Sequence, residues 1–224
     1  MSKPDFSLAG ETAPITGGRR GIGRTIALAF AEAGADVAVC DVVTDDGALE
    51  AVAGEIRKLG RRALAIGADT GKKSEVDSAV EQVAAGFGSI GILVNNAAVD
   101  MPGPFLEITE EAWDWVMGID LKGYFLMSQA AGRLMAERRK GSIINLASQY
   151  SFRTDANMGL YSIAKSGVAM LTRVLARELG GYGIRANSLA PGLIRTEFNE
   201  VRWGSQEFMD KYLPTVPLGR IGEV

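Results

Sequence analysis

The feature that most limits how this chain can fold lies near its start. Residues 13–16 read as a short strand running straight into a glycine-rich turn, Thr16-Gly17-x-x-x-Gly21-x-Gly23. Residues 25–33 then have helical composition and stop at Gly34, and residues 36–41 are a second apolar run closed by Asp41. Strand, glycine turn, helix, strand and an acidic residue about twenty positions past the turn is the layout that binds dinucleotides. The glycines let the backbone approach a pyrophosphate, and the helix N-terminus favours its charge.

The alternation continues. Residues 47–59 read as a helix, 62–66 as a third strand followed by Asp69 and Thr70, and Ser74 as the cap of a helix to about 85. A fourth strand spans 91–95. A long helix follows from a Thr109 cap to about 139, then a strand over 142–147, a helix over 157–180 and a sixth strand over 184–189. This pattern predicts an α/β fold, a doubly wound parallel sheet (Rossmann fold) with helices on both faces in three layers. No repeat, low-complexity tract or linker interrupts the 224 residues, so one domain over 1–224 is expected. Pro14 falls in the first strand, where it removes a ladder donor and predicts a short or distorted element.

Composition removes several function classes. The net charge of −3 argues against a nucleic-acid groove or an anionic membrane as partner. No apolar run reaches the roughly twenty residues of a membrane span. Residues 1–7 lack an apolar signal core, and the single Cys40 reads as a buried thiol, so a cytoplasmic protein is expected. The chain has no His, which excludes Ser-His-Asp hydrolysis and His-ligated zinc. No metal site is expected, and acid–base work falls to Tyr, Lys, Asp or Glu.

One stretch answers that need. Tyr161 and Lys165 are four apart and share a helix face. A Lys ammonium beside a phenol favours the phenolate, so Tyr161 is expected below its ordinary pKa and usable as a general acid and base. Ser148, just past an apolar strand, can hold a substrate oxygen against it.

In this order, Thr16-Gly17-x-x-x-Gly21-x-Gly23, Asp69, Asn95-Asn96-Ala97, Ser148, Tyr161-x-x-x-Lys165, Asn187 and Pro191-Gly192-x-x-x-Thr196 resemble the short-chain dehydrogenase/reductase family over nearly the whole chain. The resemblance implies a hydride transfer between a nicotinamide cofactor and a secondary alcohol or ketone. It implies that Gly17, Gly21, Ile22 and Gly23 cradle the pyrophosphate, and that Asp69, with Thr70 beside it, meets the adenine. Asn96 and Ala97 would line the adenosine ribose. Lys165 would bond the nicotinamide ribose, and Pro191, Gly192, Ile194 and Thr196 would hold the nicotinamide end.

Cofactor choice follows from charge. Asp41 closes the second strand, where a carboxylate bonds ribose hydroxyls and repels a 2′-phosphate, which favours NAD. Arg20, and Arg19 beside it, point towards NADP; the carboxylate is weighed more heavily.

Three departures from the family pattern stand out. Asp120 replaces an Asn whose backbone carbonyl serves a proton relay ending at the Lys; its carboxylate either leaves that role intact or competes for the charge of Lys165. Ala98 replaces a Gly and adds a methyl near the cofactor. The sequence stops at Val224, where related proteins continue through another helix and a final strand; ending there would leave a sheet edge open. The substrate site is expected from loops 99–103 and 149–154 and a lid over about 196–213, with Phe198, Trp203, Phe208, Met209 and Tyr212, and with Arg153 as a candidate for a substrate carboxylate. The two long helices resemble those that pair subunits, implying a homotetramer or homodimer. Two other readings remain: an NADPH-dependent reductase of 3-oxoacyl thioesters, and a non-catalytic nicotinamide-binding module.

Overall fold

The structure is a computed structural model and describes residues 6–224. Residues 1–5, which include most of the segment expected to lack a signal core, lie outside it. Six parallel strands form one sheet: β1 (Thr12–Thr16), β2 (Asp36–Asp41), β3 (Ala63–Gly67), β4 (Ile92–Asn95), β5 (Gly141–Leu146) and β6 (Ile184–Leu189). Their order is β3-β2-β1-β4-β5-β6. The order reverses between β1 and β4, and a crevice opens at the carboxyl ends of strands at such a reversal.

The two faces of the sheet are covered by different helices, and the side-chain period of two decides which residue serves which. On β2, Val37 and Val39 join Ala27 and Ala31 of α1 (Gly21–Glu32) and Leu49, Val52 and Ile56 of α2 (Ala48–Lys58). Ala38 and Cys40 turn the other way. They join Val76, Val80 and Val83 of α3 (Lys73–Phe87) and Leu126, Met127 and Met135 of α5 (Tyr124–Glu137). Both faces being covered, the central strands carry apolar runs rather than alternating ones. Cys40 is buried, and burial pushes its thiol up to about 12, which leaves it unreactive at neutral pH.

Pro14 does not interrupt β1. It is paired in register with Ala38 on the β2 side. The Thr12 carbonyl accepts from Gly91 N, so residues of the same parity, Pro14 included, turn towards β4. The rung lost to proline is therefore on that side, and β1 and β4 register only at Ile15 and Val94. Two helix expectations also change. Ser74 is not a cap; α3 begins two residues earlier than expected, with Lys72 at its N-cap and no side-chain bond. The long helix after Thr109 is broken: α4 (Glu110–Met117) is capped by Thr109, which accepts from Ala112 N, but a π-helical turn over Gly118–Gly123 separates it from α5. Such turns insert one extra residue and rotate the helix beyond them, and they often mark functional sites.

Beyond β5 the chain forms α6 (Gly159–Leu179), whose far end packs Leu175 and Leu179 against the α3–α5 core. After β6 it forms two short helices, α7 (Glu200–Trp203) and α8 (Gln206–Tyr212). No helix among the described residues is long and apolar enough to cross a membrane.

Candidate active site

A cleft of about 330 Å³ runs along the carboxyl ends of the strands, from Asp41 to Tyr161. At one end it is floored by the turn between β1 and α1. Gly17 and Gly21 have φ of 64° and 53°, which only glycine adopts without strain. A Cβ on Gly23 would strike the Gly17 carbonyl and Asn96 Nδ2, so Gly23 permits close packing of turn and helix and does not itself line the cleft. The helix start carries no acidic residue in its first turn and no side-chain cap, so its N–H groups are left for a ligand.

Asn96 and Ala97 line the cleft, and Asn96 also has a second task. Its Nδ2 donates to the carbonyls of Thr16 and Gly17, at 3.0 and 3.1 Å. The Thr16 hydroxyl in turn accepts from the backbone of Asn96 and Ala97, at 2.9 and 3.0 Å. This set ties the end of β4 to the glycine turn, so the Asn96 amide is spent on the scaffold. Asp69 likewise organises a turn, its Oδ1 accepting from Gly71 N at 2.9 Å, while Thr70 is buried against Gly123 of the π turn.

At the β2 end, Asp41 Oδ1 accepts from Val43 N at 3.1 Å and lies 3.7 Å from Arg19 Nε. Arg19 also pairs with Asp46. The guanidinium is thus held between two carboxylates, and its Nε is buried with no hydrogen-bond partner. Arg20 is exposed at the rim. An orphaned donor, an uncapped helix start and a glycine turn together fit a dinucleotide, with Gly17, Gly21 and Ile22 along its phosphates and Asp41 and Arg19 at its adenosine end.

The other end holds Ser148, Tyr161 and Lys165. Ser148 follows β5, is buried, and accepts from Tyr150 N at 3.2 Å. Tyr161 packs edge-on against Tyr150, ring centroids 6.1 Å apart at 83°. Lys165 is 1% exposed and its Nζ lies 5.5 Å from the centre of the Tyr161 ring. The ammonium donates to the Tyr124 hydroxyl at 3.1 Å and to the Leu146 carbonyl at 3.2 Å. Its fixed counter-ion is Asp120, fully buried, with Oδ2 3.2 Å away as an ion pair lacking hydrogen-bond alignment. Asp120 Oδ1 accepts from Val99 N at 2.7 Å. The Asp120 side chain thus pairs with the charge of Lys165, as one of the two expectations had it.

The electrostatics correct one expectation. Tyr161 sits above its ordinary pKa, not below it. Burial is the largest cause; the Lys165 ammonium and a hydrogen bond with Ser148 pull the value down, and the charges of Asp120 and Asp100 push it up. Spacing placed the ammonium beside the phenol but could not show how deeply the phenol is buried. Lys165 stays firmly protonated, since Asp120, Tyr124 and Tyr161 outweigh the burial that opposes its charge. Asp120 is raised by burial, with Lys165 opposing. Tyr124 was missed from sequence because it belongs to no spaced motif; burial raises it to about 12, so it serves as a neutral partner.

The lid is anchored by the loop after β6. Pro191, Gly192, Ile194 and Thr196 line the cleft, with the Pro191 carbonyl accepting from Gln149 N at 2.9 Å. Thr196 caps the next turn and its carbonyl accepts from Trp203 Nε1 at 2.8 Å. Trp203, Phe208 and Met209 pack with Leu193, Tyr212 and Ile221 in a small core of the lid segment itself, while Phe198, partly exposed, joins Phe208 and Tyr212 on the cleft wall. Arg153 is turned away, donating to both oxygens of Asp155.

A family model for short chain dehydrogenases matches residues 11–206. The chain is 40% identical over 219 residues to the hydroxy(phenyl)methyl-succinyl-CoA dehydrogenase subunit BbsD of Thauera aromatica, covering 97% of this chain and 86% of the relative. It is 38% identical over 213 residues to a 3-oxoacyl-(acyl-carrier-protein) reductase of Staphylococcus epidermidis, covering 95% and 86%. Among solved structures, a gluconate 5-dehydrogenase from Burkholderia cenocepacia J2315 in complex with NADP and tartrate superposes with a TM-score of 0.92 at 35% identity, over 98% of this chain and 85% of that one.

Proposed function

The chain belongs to the short-chain dehydrogenase family, and from that premise we propose how its own residues carry the reaction. The protein is an oxidoreductase that transfers a hydride between a nicotinamide cofactor and a secondary alcohol or ketone. The observation that supports the assignment of roles is the meeting of Ser148, Tyr161 and Lys165 in one cleft whose far end carries Asp41. A bound nicotinamide supplies or accepts the hydride. Ser148 holds the substrate oxygen, and Tyr161 Oη gives it a proton in reduction or takes one in oxidation. Lys165 keeps positive charge beneath the phenol, steadied by Tyr124, the Leu146 carbonyl and Asp120. One domain over 1–224 carries the whole site, with residues 196–213 as its lid.

NAD(H) is the preferred cofactor in this reading. A 2′-phosphate would stand beside the Asp41 carboxylate, and Arg19, the nearest cation, is engaged by Asp41 and Asp46. Absorbance at the nicotinamide band, followed with a panel of ketones and both reduced cofactors, tests cofactor and reaction together. Wild type is expected to prefer NADH. Asp41→Ala is expected to raise kcat/KM with NADPH by about tenfold while lowering it with NADH, a swing of at least 1.4 kcal/mol. A wild type that prefers NADPH, with a ratio insensitive to Asp41, refutes the charge argument.

The protein acts in the cytoplasm as a homo-oligomer. Supporting the second point, Phe125 on α5 and Ile163, Met170 and Val174 on α6 expose apolar side chains on the two elements expected to pair. Met170→Glu should lower the mass measured by light scattering by half or more; a monomeric wild type would end this part of the reading.

A further inference from the structure

In the loop after β5, Tyr150 touches both of the groups assigned to the substrate oxygen. Its backbone N–H donates to Ser148 Oγ at 3.2 Å, and its ring stands edge-on to that of Tyr161, with centroids 6.1 Å apart. The first contact has a directional consequence. A hydroxyl carries one proton, and an oxygen that already accepts from Tyr150 N keeps that proton to give to Tyr161 Oη or to the substrate oxygen. The second contact sets the tilt of the phenol that moves the proton.

Tyr150 is itself held. It is buried in a short helical turn over Gln149–Ser151, and its hydroxyl donates to Asp155 Oδ2 at 2.8 Å. Arg153 donates to both oxygens of Asp155, at 2.9 and 2.8 Å, and its guanidinium lies 5.9 Å from the centre of the Tyr150 ring. That ion pair is half exposed and adds little stability; its use is to aim the carboxylate. The rest of the loop is sewn to α6. Ser151 Oγ donates to the Lys165 carbonyl at 2.7 Å, and Thr154 Oγ1 and Ser162 Oγ share a hydrogen bond at 2.9 Å. These bonds fix the loop against the helix that carries Tyr161 and Lys165. They do not orient the ring of Tyr150, which falls to Asp155.

We propose that Tyr150 is a positioning residue for the proton transfer, setting the Ser148 hydroxyl and the Tyr161 ring relative to one another, and that Asp155 holds it in place. This rests on the hydride-transfer reading above. Tyr150 acts through its two neighbours and gives no proton itself: burial and the Asp155 carboxylate push its phenol up to about 12. Misplacing two groups that must align in the transition state costs turnover rather than binding.

The test is single-turnover reduction of the best ketone of the panel above, which separates the hydride-transfer rate from substrate affinity, on wild type, Tyr150→Phe, Asp155→Ala, their double variant and Asp155→Asn. Tyr150→Phe keeps the ring and drops its bond to Asp155; Asp155→Ala drops the same bond from the other side. Each should lower the rate about 5- to 20-fold while substrate and cofactor affinities stay within about twofold. The double variant should be no slower than either single one, and Asp155→Asn, whose amide oxygen still accepts, should recover most of the loss. In both single variants alcohol oxidation should switch on at higher pH, because the Ser148 bond lowers the proton affinity of Tyr161, while the charged groups that face it, Lys165, Asp120 and Asp100, are unchanged. A wild-type rate in Tyr150→Phe, single losses that multiply in the double variant, or an oxidation profile that does not move overturns the proposal and leaves the hydride-transfer reading standing. So does a loss shared equally by rate, affinities and thermal midpoint, which marks a damaged loop. A wild type that turns over no ketone or alcohol with either cofactor overturns both.

Discussion

Replacing Tyr161 with Phe should lower kcat/KM by about 10²–10⁴-fold in either direction while leaving nicotinamide cofactor affinity within about twofold. The change removes one oxygen. The ring that packs edge-on against Tyr150 stays, and so does the ammonium 5.5 Å from its centre. What goes is the group that moves the proton. The pH profile gives a sharper test than the rate. Because burial holds Tyr161 above its ordinary pKa, it is protonated throughout the neutral range. Ketone reduction, which needs the proton, should be flat through neutrality; alcohol oxidation, which needs the proton gone, should rise with pH into the alkaline range. Asp120→Asn deletes a charge that raises Tyr161 and leaves Lys165, which lowers it, so the oxidation limb should move to lower pH. A Tyr161→Phe protein that keeps the wild-type rate, or an Asp120→Asn protein whose limb moves upward, would mean that the proton travels by another group.

These expectations separate what the sequence could show from what it could not. The six strands and their order of appearance were legible because apolar runs and glycine punctuation are local signals. The glycine turn, Asp41, Ser148, Tyr161 and the loop after β6 could be located for the same reason, and all of them line one cleft. What escaped depends on depth or on distance along the chain. That Asp120 stands near Lys165 came from the resemblance; the π turn over residues 118–123, and the full burial of the carboxylate within it, did not show in the sequence. Tyr124 beneath Lys165 is an aromatic residue in an apolar helix until the fold puts it under the ammonium. Asn96 lines the cleft as read, but its amide also closes a scaffold between two strands that are remote in sequence, which no local signal announces. The sign of the Tyr161 shift was misjudged because spacing reports which charges are near but not how much water has left.

The buried ion pair beneath the phenol carries the second large expectation. Lys165→Met should destabilise the protein by about 3–5 kcal/mol, because it strands the Asp120 carboxylate at zero exposure with no cation to answer it. For a chain of this size, that lowers the midpoint of thermal unfolding by roughly 10 °C. Lys165→Met combined with Asp120→Asn should restore much of the loss, since the Asn carbonyl can still accept from Val99 N while the buried charge is gone. The deficit should also depend on pH with a definite sign. A carboxyl whose folded pKa is raised binds its proton more tightly in the folded state than in the unfolded one. It therefore favours folding below its ordinary value near 3.8 and loses that contribution as pH rises through the folded value. Without Lys165 to oppose burial, the rise is larger, so the Lys165→Met deficit should be widest at neutral pH and narrow as the pH is lowered towards 4. Urea unfolding of the four proteins in this cycle, at pH 7.5 and pH 5, measures both effects. Single losses that simply add, or a deficit that grows on acidification, would show that Asp120 and Lys165 do not act as a pair, and the proton affinity of Tyr161 would then need a different explanation.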